Sequence, residues 1–205
     1  LRVLADREEP DLGDVARKRG LTVAYLPQTP ELDPEDTITR AALGYVPVSS
    51  EEERDSAAYE AQTILSRLGF TDFQQKVGTL SGGQKMRVAL AGVLCRPTDV
   101  LLLDEPTNHL DNEMLTWLED YLNRYKGTVI MVTHDRYFLD RVSNRILELD
   151  HGKIYSYEAN YSKFLELKVQ REEMALATER KRQSVLRMEL EWAKRGCRAR
   201  STKQR

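Results

Sequence analysis

The stretch Val100-Leu-Leu-Leu-Asp-Glu-Pro-Thr-Asn-His-Leu-Asp111 decides the fold. Four consecutive apolar residues, Val100 to Leu103, are followed at once by two carboxylates, Asp104 and Glu105. An unbroken apolar run fits a strand covered on both faces, as in parallel sheets, and ligand crevices in open α/β sheets lie outside the carboxyl ends of such strands. Asp104 and Glu105 are therefore the first candidates for chemistry. Taken alone, an acidic pair there reads as a solvated strand end, so its neighbours decide.

Downstream, Met114, Leu115, Leu118, Tyr121, Leu122 and Tyr125 line one face of a helix that stops at Gly127. Thr128 to Val132 is a second apolar strand, with Thr133-His134-Asp135 at its end. Strand, helix, strand predicts a right-handed parallel crossover, which brings both carboxyl ends to one edge and His134 near Glu105. A lone histidine is ordinarily a loop residue; one at the edge that holds a carboxylate pair is a site candidate. Ile146 to Tyr157 predicts a hairpin turning at Asp150-His151-Gly152.

Upstream, Leu21 to Leu26 reads as a strand stopped by Pro27, leaving Gln28 just past its end. Residues 34–97 form a helical subdomain: a short helix over Thr37 to Leu43, then a longer one capped by Ser50 with Glu53 and ended by Gly69. Leu80-Ser81-Gly82-Gly83-Gln84 opens the next helix, whose apolar members run from Met86 to Leu94. Ser81 and Gln84 have capping-box spacing, and two residues without Cβ leave the first backbone N–H groups open to an anion. By itself the pentapeptide reads as well as a flexible turn.

The 205 residues are 40% hydrophobic and 31% charged, enough for a packed core and too polar for a membrane protein. No apolar run approaches the roughly 20 residues of a spanning helix. Cys95 and Cys197 look unpaired, which suits a reducing, cytoplasmic setting. The net charge of −2 hides an asymmetry: Tyr161 to Arg205 carries thirteen Lys/Arg against six Asp/Glu, and the first 160 residues carry 18 against 27. Tyr161 to about Ala193 lacks Gly and Pro and predicts one long helix with a sparse apolar stripe, as in a projecting helical hairpin. Its end, Trp192 to Arg205, holds Lys194, Arg195, Arg198, Arg200, Lys203 and Arg205 with no acid. Nucleic-acid phosphates are the natural partner; a solvated linker is the alternative.

In order and spacing, Gln28, Leu80 to Gln84, Val100 to Glu105, Leu110-Asp111 and His134 resemble the Q-loop, signature, Walker B, D-loop and H-loop of ATP-binding-cassette ATPases. Glu105 to Asp111 together with Thr133 to Arg136 and the helical extension resemble the ABC-F subfamily, whose members work on the ribosome and lack membrane domains, and the tail resembles the Uup-type inter-cassette linker. The resemblance implies an α/β fold: a P-loop NTPase core with a parallel sheet, a helical subdomain and a long C-terminal helical linker, divided as a cassette over 1–160 and a linker over 161–205. It implies ATP and Mg²⁺ as ligands. Asp104 would hold Mg²⁺ through its water shell, Gln28 would sense the metal and the γ-phosphate, Glu105 would deprotonate the attacking water, and His134 would donate to the γ-phosphate. Ser81, Gly82, Gly83 and Gln84, with Asp111, would serve nucleotide shared with a second cassette of the parent chain. Ribosomal or transfer RNA, or DNA, would be the partner of the tail.

One departure is large. The phosphate-cradling pattern G-x-x-x-x-G-K-[ST] occurs nowhere; the only Gly-Lys pair, Gly152-Lys153, is followed by Ile154. Leu1 to Ala5 resembles the helix that follows this loop in the family, so the expectation is an N-terminal cassette without its head plus half a linker, unable to hold ATP well alone. Two further readings stay open: the ATP-binding subunit of a membrane transporter, and a non-catalytic scaffold that binds nucleic acid.

Overall fold

The computed structural model describes residues 1–45 and 50–196. By contacts the chain divides into two compact units, Leu1–Val142 and a second beginning at Ser143. The hairpin, which the sequence reading placed in a cassette over 1–160, groups by contacts with the long helix.

The first unit contains β1 (Val23–Leu26), α1 (Ile38–Leu43), α2 (Glu51–Arg67), α3 (Gly82–Leu94), β2 (Val100–Asp104), α4 (Asn112–Asn123), β3 (Thr128–Val132) and α5 (Arg136–Val142). Its sheet is parallel, in the order β1-β2-β3, so the quoted stretch is the central strand. The register pairs Leu26 with Leu103 and Asp104 with Val132. A side-chain clamp fixes it at the other end: the Thr22 amide and hydroxyl both donate to the Asp99 carboxylate, at 2.9 and 2.7 Å, and the Asp99 amide donates to Thr22 Oγ1 at 2.9 Å. Those donors, the Thr22 amide first, hold the Asp99 carboxyl below the usual carboxylate range. This use of Thr22 explains why β1 begins at Val23 rather than at Leu21.

Leu101, Leu102 and Leu103 are fully buried, as the unbroken apolar run requires. Leu101 and Leu103 share one core with Ile38, Leu65, Leu68, Leu90, Leu94, Leu118 and Phe138. Helices α1, α2 and α3 pack on one another, forming the expected helical subdomain. Helix α5 was not foreseen. Asp135 accepts from the Phe138 amide at 3.0 Å, and Phe138 is buried, so a short cap and one anchor are enough to order it. Leu1 to Ala5, expected as a helix end, forms a turn with the Ala5 amide donating to the Leu1 carbonyl at 2.9 Å.

The second unit pairs β4 (Ile146–Asp150) with β5 (Lys153–Tyr157) and continues into α6 (Tyr161–Gly196), a single 36-residue helix. His151 and Gly152 both have positive φ, 46° and 73°, the pattern of a two-residue turn whose twist matches the flanking strands. Glu148 on β4 meets Lys168 Nζ at 2.6 Å, Arg171 Nη1 at 3.1 Å and the Tyr157 hydroxyl at 3.0 Å. The Arg171 guanidinium lies 3.7 Å from the centre of the Tyr155 ring. Tyr157 and Phe164 pack edge to face at 5.0 Å. These contacts attach the hairpin to the first three turns of α6; from Glu172 to Lys194 every residue is exposed.

Candidate functional site

The carboxyl end of β2 turns sharply. The Glu105 amide donates to the Val132 carbonyl at 2.8 Å, extending the ladder one residue beyond Asp104. Glu105 itself then adopts φ 54°, a left-handed conformation that a residue with a Cβ takes at some cost. The turn sends its side chain inward: Glu105 is 5% exposed, the one charged residue buried among those described. Its Oε2 accepts from the His134 amide at 3.3 Å, and its Oε1 lies 3.3 Å from His134 Nε2. The imidazole is otherwise open to solvent, 98% exposed. The structure thus brings Glu105 and His134 together, as the crossover predicted. A buried carboxylate that meets an imidazole and a backbone N–H, with no fixed cation, retains the capacity to accept a proton.

Asp104, next to it, is half-buried and has no hydrogen-bond or ion-pair partner among the described residues. An uncommitted carboxylate at a strand end fits a hydrated divalent cation, since Mg²⁺ keeps several waters and takes one or two protein carboxylates. No cluster of three or more His, Cys, Asp or Glu side chains that could hold a metal ion occurs among the described residues. Gln28 is exposed two residues beyond Leu26, whose partner in the register is Leu103. Asp111 Oδ1 accepts from the Met114 amide at 2.9 Å and caps α4.

At the start of α3 the capping box is formed. Ser81 Oγ accepts from the Gln84 amide at 3.3 Å, and Gln84 Oε1 accepts from the Ser81 amide at 2.9 Å. The Ser81 hydroxyl hydrogen remains available to an outside acceptor. The two glycines differ. A Cβ at Gly82 would meet nothing within 4 Å, so its backbone is open to a ligand; one at Gly83 would lie 2.9 Å from His109 Cβ and 3.0 Å from His109 Cγ. The space beside Gly82 is thus empty, while that beside Gly83 is taken by His109.

Two features escaped the sequence reading. Thr107 and Thr133, one after each strand, join their hydroxyls at 2.8 Å and tie the loop after β2 to that after β3; a threonine following each carboxyl end was the visible signal. His109 adopts φ 66°, for which the sequence gives no signal. Of the basic tail, Lys194 is exposed, whereas the side chain of Arg195 and all of Arg198, Arg200, Lys203 and Arg205 lie outside the described residues. No helix among the described residues is long and apolar enough to cross a membrane. A concavity of the first unit, about 620 Å³ between α2, the end of α3 and α4, is lined by Glu52, Glu60, Leu94, Trp117 and Tyr121 and includes none of the site residues.

Comparison with known proteins places this geometry. A family model described as ABC transporter matches residues 1–108, and a second of the same description, an extension of the first, matches residues 147–205. The chain is 42% identical over 239 aligned positions to the uncharacterized ABC transporter ATP-binding protein YfmR of Bacillus subtilis, covering 100% of this chain and 38% of that protein. It is 36% identical over 238 positions to the energy-dependent translational throttle protein EttA of Haemophilus influenzae, covering 99% and 43%. The chain thus spans about two fifths of the length of these curated relatives. Among solved structures, an archaeal ribosome recycling factor, aABCE1, in complex with the ribosomal stalk protein aP1 aligns with TM-score 0.56 and 33% identity over 76% of this chain and 30% of that one. An ATP-binding cassette in a dimeric post-hydrolysis state with ADP and phosphate aligns with TM-score 0.54 and 29% identity over 67% and 63%. With the family model covering more than half of the chain, the chain belongs to the ATP-binding-cassette (ABC transporter) family, as a cassette of the ABC-F type.

Proposed function

We propose that this cassette hydrolyses ATP together with a second, facing cassette, and that their closure sets the angle of the basic helix α6 on ribosomal or transfer RNA. One observation carries the reading: a buried, cation-free carboxylate, Glu105, held against His134 beside the uncommitted Asp104 at the end of the central strand. Glu105 accepts the proton of the attacking water, and His134 Nε2 donates to the γ-phosphate as charge builds on it. Mg²⁺, when bound beside Asp104 and Gln28, supplies charge neutralisation of the phosphates. Ser81 and the open backbone of Gly82 face outward for the nucleotide of the opposing cassette. This division suits phosphoryl transfer, in which catalysis is mostly positioning and charge stabilisation.

Relatives named for translational throttling and ribosome recycling support the ribosome as partner. The decisive experiment uses the full-length protein: Glu105→Gln blocks hydrolysis, holds the closed state, and increases co-sedimentation with ribosomes in the presence of ATP. Unchanged ribosome binding rejects the coupling, and co-purification with an integral membrane protein favours a transporter subunit instead. The 205 residues alone lack the P-loop lysine and bind ATP weakly; a micromolar Kd by calorimetry contradicts that.

A further inference from the structure

The seven residues from Glu105 to Asp111 join the catalytic carboxylate proposed above to the cap of α4, and the loop is pinned along its length. Its first amide bonds Val132, Thr107 bonds Thr133, and Asp111 caps α4. Internally, the Asn108 amide donates to the Glu105 carbonyl at 3.2 Å and the Leu110 amide to the Thr107 carbonyl at 3.3 Å. Between these ties stands His109, held at φ 66° although it is not a glycine. A left-handed residue with a side chain persists only where its surroundings impose it. What surrounds His109 is the start of α3: its Cβ, Cγ and Nδ1 occupy the space that a side chain at residue 83 would need, at 2.9, 3.0 and 3.3 Å.

We infer that His109 is a positioning residue that couples the α3 start to the Glu105 loop within one cassette. The inference rests on the ATPase reading and deepens it. Ser81 and Gly82 take the charge of the opposing nucleotide, and Gly83 follows them in the same helical turn. His109 is itself exposed, but the approach is to its Cβ and Cγ, next to the main chain, so a shift of that turn bears on the loop backbone at His109. Through the short, internally bonded loop the shift reaches Glu105 four residues earlier. Gly83 is thus required for the His109 contact, and Gly82 for the ligand.

The test is a double-mutant cycle on the full-length protein, following kcat, KM for ATP and Tm. Gly83→Ala forces its methyl onto His109 and lowers kcat on the order of 100-fold, the scale of a displacement of about 1 Å at a reacting group. His109→Gly frees both the space and the backbone, and lowers kcat about 10-fold with KM and Tm little changed. The combination returns to the level of His109→Gly alone, because the clash is gone. His109→Asn keeps Cβ, Cγ and a residue tolerant of positive φ, and retains kcat near wild type. Losses that multiply in the double variant overturn the assignment, as does wild-type kcat in His109→Gly. If Asn is as poor as Gly, the imidazole acts chemically, and positioning is rejected. Should Gly83→Ala fail to fold, the pair His109→Gly and His109→Asn carries the test. A wild-type protein without ATPase overturns the hydrolysis reading and this inference with it, whereas ATPase with multiplied losses overturns this inference alone.

Discussion

Glu105 in the first unit and Glu148 in the second are both nearly buried carboxylates, and the two could hardly be treated more differently. Glu148, with a side chain 11% exposed, is met by Lys168, Arg171 and the Tyr157 hydroxyl. Glu105, 6% exposed, is met by a backbone N–H and an imidazole that is charged only when protonated. Burial is shared; compensation is not. A buried charge that is surrounded by fixed cations is held in place and chemically quiet, while one left nearly uncompensated is poised to react. The partners, rather than the burial, separate the residue that joins a hairpin to a helix from the one placed at a reactive edge.

The largest effect expected from this contrast is on turnover. Glu105→Gln keeps shape and most contacts, and in the full-length protein it lowers ATPase kcat by on the order of 1,000-fold, within the range for loss of a positioned base. Its Tm stays close to wild type, because no fixed cation is orphaned. Glu148→Gln leaves kcat unchanged. Measured side by side, a fall in kcat for both would mean that the two carboxylates are not distinct in role.

Glu148→Ala gives the converse, a stability effect without a catalytic one. It leaves Lys168 without its acceptor and Arg171 with only the longer Asp150 pair and the Tyr155 ring, and costs roughly 1–2 kcal/mol in denaturant unfolding monitored on the second unit. Leu167 and Phe164 keep their packing, so the helix itself stays formed. Unfolding free energy unchanged within error would show that the aromatic contacts alone hold the hairpin.

How much of this was legible from the sequence depends on how local each feature is. The central strand, the Ser81–Gln84 box and the 36-residue helix follow from contiguous patterns, and all appear where those patterns put them. The strand order does not, since β1 and β2 pair across 77 residues of separation, and the clamp between Thr22 and Asp99 carries no local signature. Glu105 and His109 take left-handed torsions for tertiary reasons, so nothing in their identity announces them. The packing beside Gly83 was illegible for the same reason: a glycine at a helix start says that a Cβ is unwelcome, but not which neighbour stands there, here His109. The grouping of the hairpin with α6 depended on Glu148, Lys168 and Arg171, which read individually as ordinary surface charges.

The same ionic cluster predicts a smaller, pH-dependent effect. The hydrogen bond from Lys168 first, then that from Tyr157 and the charges of Lys168 and Arg171, hold the Glu148 carboxyl below its usual value against the opposing effect of burial. With a folded pKa depressed below the unfolded one, the stabilisation is full above the ordinary carboxylate value of about 4.3 and is lost as pH falls through the folded pKa. Unfolding of the second unit should therefore become easier below about pH 4, and Glu148→Gln should flatten that dependence. An equal acid slope in the variant would assign the effect to other carboxylates.

The smallest effect separates two lysines of one helix. Lys168 spends its charge on Glu148, whereas Lys194 is exposed and has no partner among the described residues. Only a cation without an internal partner can release a counterion on meeting a phosphate, so the two should differ in salt dependence rather than in bare affinity. Lys194→Gln in the full-length protein is expected to weaken RNA binding a few-fold and to reduce the slope of log affinity against log salt by about 1. Lys168→Gln should leave the slope alone and lower the stability of the hairpin–helix pair. If both slopes fall equally, the Glu148 cluster opens on binding and its cations turn to the nucleic acid; if neither falls, the exposed end of α6 is not the surface that meets phosphate.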